Sequence, residues 1–506
     1  MANDNRVVSF IDVGTNSIHI LVVKFFGDSM GTPIFQDKES VRLGQHLFRH
    51  GFIDAETIKK ARIVLSNFVR KSKDLGAEEI FTYATCAARE ASNRKELLDA
   101  VKMEGLNVKV ISGLEEARLI KLGIFGPEGP RKRTLEIDIG GGSTEIVVCE
   151  GKNDIFMDTL DLGCVRLAYG PGQEQNEAMS MSEYEALRRH ISLMAYRTCR
   201  MVSTAGFHEA YGSSGTMMAL AEMCAATRED GDSSYMMYYE LAELMKKLYS
   251  KDIEKRKSIP GMNPARADII VSGGAIAEVL MNLLNIDRIE ISPNGLKQGM
   301  EIDYLLRKGH SNFDVRGSSV QNLAARCLFD KTHAETVQRN ALLLFDKMKE
   351  FGMHDMEEDM RTLLSYASTL HDIGEFISYP KHHLHSYTII LNSFLPGFSN
   401  EELQIMALIA KYHHKGLPSR SMKVLKEMDS NVAKDVLRCI VILKIADILD
   451  RHRNSAVDYI EISVKSGKMM ISLGSETDIS MEVWKLNTIK SDFKTVFGRD
   501  LLIDRS

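Results

Sequence analysis

Two short stretches of this chain carry the residue types of a phosphate or metal site at the same spacing. Ile11 to Val22 reads IDVGTNSIHILV and Ile137 to Val148 reads IDIGGGSTEIVV. Each has an Ile-Asp pair, a glycine two residues beyond the aspartate, a serine three further on and an apolar finish. Apolar, turn, apolar is a hairpin pattern. A glycine turn can present several backbone N–H groups to a concavity, with no Cβ to keep a phosphate away. Asp12 and Asp138, at the ends of the leading strands, could hold a hydrated Mg²⁺. One such hairpin also reads as an ordinary tight turn; two at matching offsets predict related halves that face each other.

Between them, VKVISGLEEARLIKLGIF (Val108 to Phe125) reads as a short strand followed by a helix. Ser112 and Glu115 have capping-box spacing, which assigns Glu115 to the helix start. Adjacent helical positions point about 100° apart, so Glu116 faces elsewhere and is left for chemistry. Upstream, FTYATCAAREASNR (Phe81 to Arg94) brings Arg89 beside a β-like segment, where its planar fork of donors suits phosphate oxygens. Arg94 fits a solvated helix better. Arg131, Lys132 and Arg133 follow a Gly-Pro turn and read as an exposed loop rather than a site, and the same caution covers Arg166 and Lys297.

The elements that must position these residues alternate. YGSSGTMMALAE (Tyr211 to Glu222), IIVSGGAIAEVLMNLL (Ile269 to Leu284) and IEISPNGLKQGMEIDYLL (Ile289 to Leu306) each suggest a strand end, a glycine turn and a helix. That is an α/β fold with ligands where strand ends and helix starts converge. Bulk properties agree with an enzyme of several domains: 506 residues, 44% hydrophobic, 26% charged and only 10 prolines. A net charge of −5 argues against nucleic acid as a partner. No apolar run approaches the ~18 residues that span a bilayer, and the start of the chain lacks a signal pattern, so the expectation is a cytoplasmic protein without a membrane partner. The seven scattered cysteines fit reduced thiols.

Taken in order, DVGTNSIH, ATCAAREASNR, ISGLEEARLI, LEIDIGGGSTEI, GSSGT, VSGGAIAE and SPNGLKQG resemble the exopolyphosphatase and guanosine pentaphosphatase (Ppx/GppA) family of the actin-like ATPase superfamily. The resemblance implies two actin-like (ribonuclease H-like) domains, 1–130 and 131–308, flanking a cleft. It implies Glu116 as the catalytic base that activates water, with Asp138 and Glu145 as acidic residues near the metal and the reacting phosphate. Gly14, Thr15, Asn16 and Ser17 match the first phosphate loop, Gly140, Gly141, Gly142 and Ser143 the second, and Arg89 the substrate arginine. Asp12, Asp138 and Glu145 are the expected Mg²⁺ neighbours. A homodimer is implied as well.

After GHSNFDVRGSSV (Gly309 to Val320), read as a linker, helical patterns dominate and nine of the 15 histidines fall between His333 and His452. His333, His371-Asp372 and Asp447 resemble the signature of HD-domain phosphohydrolases, a helical fold that holds a divalent metal, expected here over 320–455. His382, His383, His385, His413 and His414 could line a polyanion path, although exposed loops account for them more simply. Residues 456–506 read as a small α/β appendage.

The leading expectation is an exopolyphosphatase that removes terminal phosphate processively from inorganic polyphosphate. Its alternatives are hydrolysis of the 5′ terminal phosphate of guanosine pentaphosphate (pppGpp) and, in another class, a regulator that binds polyphosphate or ppGpp without turnover. Hydrolysis centred on the HD-like residues, or ATP-dependent kinase activity, are further alternatives.

Overall fold

The computed structural model describes residues 5–26, 30–170, 177–308, 314–393, 395, 397–414, 416–419, 422–454, 456–465 and 467–505. The chain divides into two compact units, Met1–Val315 and Arg316–Ser506.

Unit 1 repeats one motif. In its first half β1 (Asn5–Val13), β2 (Ser17–Phe26), β3 (Thr32–Ser40), β4 (Glu79–Ala84) and β5 (Val108–Val110) form a sheet of order β3-β2-β1-β4-β5. In the second half β6 (Thr134–Ile139), β7 (Thr144–Glu150), β8 (Asn153–Leu160), β9 (Glu209–Ser213), β10 (Tyr235–Met237) and β11 (Arg288–Ile291) give β10-β11-β9-β6-β7-β8. The antiparallel β1-β2-β3 meander corresponds to β6-β7-β8, and the parallel β1/β4 pair to β6/β9. The likeness extends to hydrogen bonds: Gly14 N–H donates to the Ser17 carbonyl (3.1 Å) and Gly140 N–H to that of Ser143 (2.9 Å). The helix that follows each meander then closes on the turn. Gly44 N–H of α1 (Leu43–His50) reaches the Thr15 carbonyl, just as Val165 N–H of a later helix (Cys164–Tyr169) reaches that of Gly141.

Three more helices position the centre of the unit: α2 (Gly113–Phe125), α3 (Ile270–Leu283) and α4 (Leu296–Arg307). Contrary to the reading of Ile269 to Leu284 as a strand end and turn, the chain is helical from Ile270, with Gly273 and Gly274 inside the helix. These glycines serve close packing: a Cβ would stand 2.5 Å from Thr216 Cγ2 at Gly273 and 2.3 Å from Met245 Sδ at Gly274. Although late in the sequence, α4 returns to the first sheet, where Met300, Ile302, Tyr304 and Leu305 share a core with Val8, Phe10, Leu21 and Leu119. It crosses α2 so closely that a Cβ on Gly299 would lie 1.8 Å from the Leu119 carbonyl oxygen and one on Gly123 2.1 Å from that of Gly295. Only glycine permits backbones to approach this far.

Unit 2 is built from α5 (Val315–Arg326), α6 (Lys331–Glu350), α7 (Glu358–Leu370), α8 (His382–Leu391), α9 (Asn400–Tyr412) and α10 (Ser430–Ile448), followed by the sheet β12 (Tyr459–Lys465), β13 (Lys468–Gly474) and β14 (Leu501–Arg505). Its core runs continuously from Val320 to Leu501, so the C-terminal α/β segment shares the helical interior. Of the stretch read as a linker, 309–313 lies outside the described residues, and α5 begins at Val315.

Candidate functional site

The site in unit 1 is assembled by the two turns. Gly141 approaches Thr15 and Asn16 so closely that a Cβ there would sit 3.0 Å from Thr15 Cβ and 3.3 Å from Asn16 N. A Cβ on Gly142 would meet Cys86 Sγ at 2.3 Å. Gly142 therefore has no room for a side chain against Cys86, and Gly141 packs tightly on the first turn, apart from any ligand. Arg166, set aside from sequence with exposed loop residues, fixes that turn by donating to the Gly142 carbonyl (2.6 Å) and to Glu90 (2.6 Å).

Four carboxylates converge here. Asp12 is the penultimate residue of β1, with His19 opposite it on β2; Asp138 is the penultimate residue of β6, with Glu145 opposite it on β7. Asp138 accepts from Ser213 Oγ (2.5 Å), and Glu145 from Thr159 Oγ1 (3.0 Å). Ser213 is the last residue of β9, and the next residue, Ser214, takes a left-handed backbone (φ 82°) while its hydroxyl donates to the Ile139 carbonyl (2.7 Å). Holding a serine in that region costs about 1–3 kcal/mol, and such strain concentrates at functional sites.

Glu116 comes from α2. Ser112 caps the helix by accepting from Glu115 N–H, but the Glu115 carboxylate turns to Arg118 (2.8 and 3.0 Å). Half of the expected capping box forms, and Glu116 points away from both, toward Arg89 (3.6 Å), with its side chain 12% exposed. Arg89 is anchored by donating to the Ile111 carbonyl (2.8 Å).

Burial and mutual repulsion govern the electrostatics. Burial, with Glu145 and Asp12 adding to it, holds the Glu116 carboxyl well above its ordinary range. Burial likewise lifts Asp12 to about 7, Glu145 to about 7 and Asp138 to about 6. Asp12 Oδ1, Glu116 Oε2 and Glu145 Oε2 are buried without a hydrogen-bond partner. Orphaned oxygens on hard donors fit a divalent cation such as Mg²⁺. Among the described residues no three of these carboxylates bring oxygens within 4.8 Å of one another.

Opposite the acidic groups lies a cationic set that sequence reasoning missed or set aside. Lys38 faces His19 across β2 and β3, Lys297 opens α4, and Arg266 lies against Gly215, its Nη2 2.0 Å from where a Cβ would stand. Burial, with Arg266 and Lys297 nearby, lowers the Lys38 ammonium to about 8; burial and these cations push His19 down to about 3, so its ring is neutral. Lys38, Arg266 and Lys297 have no carboxylate within ion-pair distance among the described residues. The sequence signal for Lys297 was its place in SPNGLKQG; Lys38 and Arg266 had none, since they reach the site only through the meander and the turn before α3.

In unit 2 the structure gathers His333, His371, Asp372 and Asp447, and adds His382 and His413. The reading of His382, His383 and His413 as exposed loop residues is corrected: all three are buried. His382 opens α8, and His413 directly follows α9.

A model of the Ppx/GppA phosphatase family matches residues 22–308, and a model of Ppx/GppA phosphatase domain III matches residues 315–488. A guanosine-5'-triphosphate,3'-diphosphate pyrophosphatase of Vibrio vulnificus (strain YJ016) is 27% identical over 477 residues, covering 94% of this chain and 93% of its own. A protein of the same name from Aeromonas salmonicida (strain A449) is 28% identical over 462 residues, 89% of each chain. Among solved structures, an exopolyphosphatase from Cytophaga hutchinsonii aligns at TM-score 0.54 and 24% identity, over 61% of this chain and 99% of its own, a likeness of fold.

Proposed function

Since this chain belongs to the Ppx/GppA phosphatase family and is a hydrolase of phosphoric anhydrides, we propose that it removes the 5′ terminal phosphate of pppGpp. The names of relatives matched over nearly the whole chain move the weight from inorganic polyphosphate, the first expectation, to this alternative. The observation that carries the chemistry is the convergence of Glu116 and Arg89 with two opposed glycine turns.

In this reading the terminal phosphate lies between turns 14–17 and 140–143. Arg89 binds one of its oxygens, while Lys38, Arg266 and Lys297 take the remaining phosphates. Glu116 accepts a proton from a water as the water oxygen bonds to phosphorus and the bridging P–O bond breaks. Asp12, Asp138 and Glu145 would hold Mg²⁺, which neutralises charge on the phosphates when bound. Positioning and charge neutralisation are what phosphoryl transfer chiefly requires.

Phosphate release from pppGpp and from polyphosphate, measured in parallel with Mg²⁺, tests the proposal; kcat/KM at least tenfold higher for pppGpp, with ppGpp as product, is expected. Preference for polyphosphate would restore the first expectation, and tight binding without release would indicate a regulator. A cytoplasmic homodimer is part of the same proposal.

A further inference from the structure

Arg266 reaches the site of unit 1 from a short strap that has little to hold it in place by itself. The strap is a single 3₁₀ turn, Pro264–Arg266, capped by the Asn263 side chain, which accepts from Ala265 N–H (3.0 Å); α3 begins just beyond it at Ile270. None of the three residues of the turn is buried, so no apolar face fixes it. Polar contacts made by its neighbours must therefore decide where the Arg266 guanidinium stands.

Those contacts come from two other arginines and a tyrosine. The carbonyl before Arg266, that of Ala265, accepts from Arg42 Nη2 (2.9 Å). The carbonyl after it, that of Ala267, accepts from Arg256 (3.4 Å), a buried arginine that also donates to the Leu248 and Glu177 carbonyls (3.0 and 3.1 Å). Asp268, its side chain only 6% exposed, is gripped at both oxygens: Arg42 Nη1 donates to Oδ2 (2.6 Å), Arg42 Nη2 to Oδ1 (3.2 Å), and the Tyr169 hydroxyl to Oδ2 (2.5 Å). A two-pronged guanidinium–carboxylate pair fixes direction as well as distance.

Arg42 belongs to the first half of unit 1, between β3 and α1, and its backbone is left-handed (φ 62°). A non-glycine residue keeps that conformation only where its surroundings impose it. Its own N–H donates to the Asn16 carbonyl (2.8 Å), in the first glycine turn. Tyr169 ends the helix Cys164–Tyr169, whose opening N–H groups reach the second turn, Cys164 to the Gly140 carbonyl (3.0 Å) and Val165 to that of Gly141 (2.9 Å). One buried carboxylate, Asp268, thus joins both turns to the strap that carries Arg266.

We infer that Arg42, Tyr169 and Asp268 are positioning residues that set Arg266 in register with the two turns, an assignment that rests on the reading of Arg266 as a ligand of the phosphates beyond the reacting one. They act through Arg266 and need not touch substrate. Ordering a loop and a long side chain on binding costs affinity, and a junction formed beforehand removes that cost. Its loss is therefore felt in KM, while Glu116, Arg89 and the turns continue to set kcat.

Steady-state phosphate release by the full chain with Mg²⁺ tests the junction, using whichever of pppGpp and polyphosphate the wild type turns over faster, since both carry phosphates beyond the reacting one. Arg42→Gln and Asp268→Asn keep side-chain size and remove the ion pair; each should raise KM about tenfold with kcat within about threefold of wild type. Arg42→Lys, which keeps the charge but only one prong, should lie between them and wild type. Arg266→Ala should raise KM at least as far, and adding Arg42→Gln to it should change KM by less than about twofold, because nothing is left to position. Retained kcat in the single variants shows that they fold with both turns intact. Wild-type KM in Arg266→Ala refutes the phosphate-binding reading of Arg266 and the junction with it. A raised KM in Arg266→Ala but not in Arg42→Gln and Asp268→Asn, or an Arg42→Gln effect of equal size on both backgrounds, overturns the junction and leaves that reading standing. A loss confined to kcat in Arg42→Gln and Asp268→Asn also overturns it, since the pair then supports the turns alone.

Discussion

Replacing Glu116 by glutamine preserves the shape of the side chain and removes one capacity, that of accepting a proton. Arg89 loses a charged neighbour at 3.6 Å but keeps its bond to the Ile111 carbonyl at 2.8 Å, so the binding arginine stays in place. The carboxyl is buried beside Glu145, Asp12 and Asp138, so a neutral amide relieves repulsion in the folded state, and the thermal midpoint should stay equal or rise. Loss of a positioned general base costs about 10²–10⁴ in rate. That range corresponds to about 2.7–5.5 kcal/mol of barrier. Steady-state phosphate release from pppGpp at saturating Mg²⁺ should therefore show kcat lowered by that factor with KM within about threefold. The acid limb of kcat/KM, set in the wild type by ionisation of this group, should disappear. A variant with kcat within threefold of wild type, or one that loses only KM, would refute the assignment of Glu116 as the base.

Three further outcomes follow from the same geometry. Raising Mg²⁺ should move the acid limb of wild-type kcat/KM to lower pH, because a cation beside Asp12 and Glu145 offsets the negative charges that, after burial, help to hold the Glu116 carboxyl up, and so favours the ionised base; a limb that ignores Mg²⁺ counts against the ion. Gly299→Ala forces a Cβ to within 1.8 Å of the Leu119 carbonyl oxygen, so α2 must shift; kcat should fall at least tenfold and the thermal midpoint by several degrees, both measurable beside the wild type. Burial lifts Glu301 to about 8, the Gly31 N–H bond offsetting this in part. The unfolded chain thus ionises first, and this contribution to stability, complete below the ordinary carboxylate range, is lost as pH rises to about 8. Glu301→Gln should flatten the fall in thermal midpoint between pH 5 and 8.5, and an unchanged slope would contradict the buried acid.

The residues whose partners lie close in sequence were legible before the fold was known. The paired turns read directly, because Gly14 bonds to Ser17 and Gly140 to Ser143 within four residues, and Glu116 was separated from Glu115 by helical angle alone. The expectation at Ile269 failed because small residues preceding an apolar helix look alike whether glycine makes a turn or admits a neighbouring helix; Thr216 and Met245, which decide it, are remote in the chain. Lys297 was set aside for the same reason: its neighbour Asp12 is far away in sequence.

Alternation of strands and helices, the duplicated Asp-Gly-Ser turns and the chemical types at the centre were thus determined by sequence alone, since local hydrogen bonds and side-chain period encode them. Tertiary structure decided which residues meet: the return of α4 to the first sheet, the cations facing Asp12, and His382 and His413 on the far oxygen of Asp372. Those meetings depend on the burial of apolar faces across hundreds of residues, a non-directional force that leaves no local spacing to read.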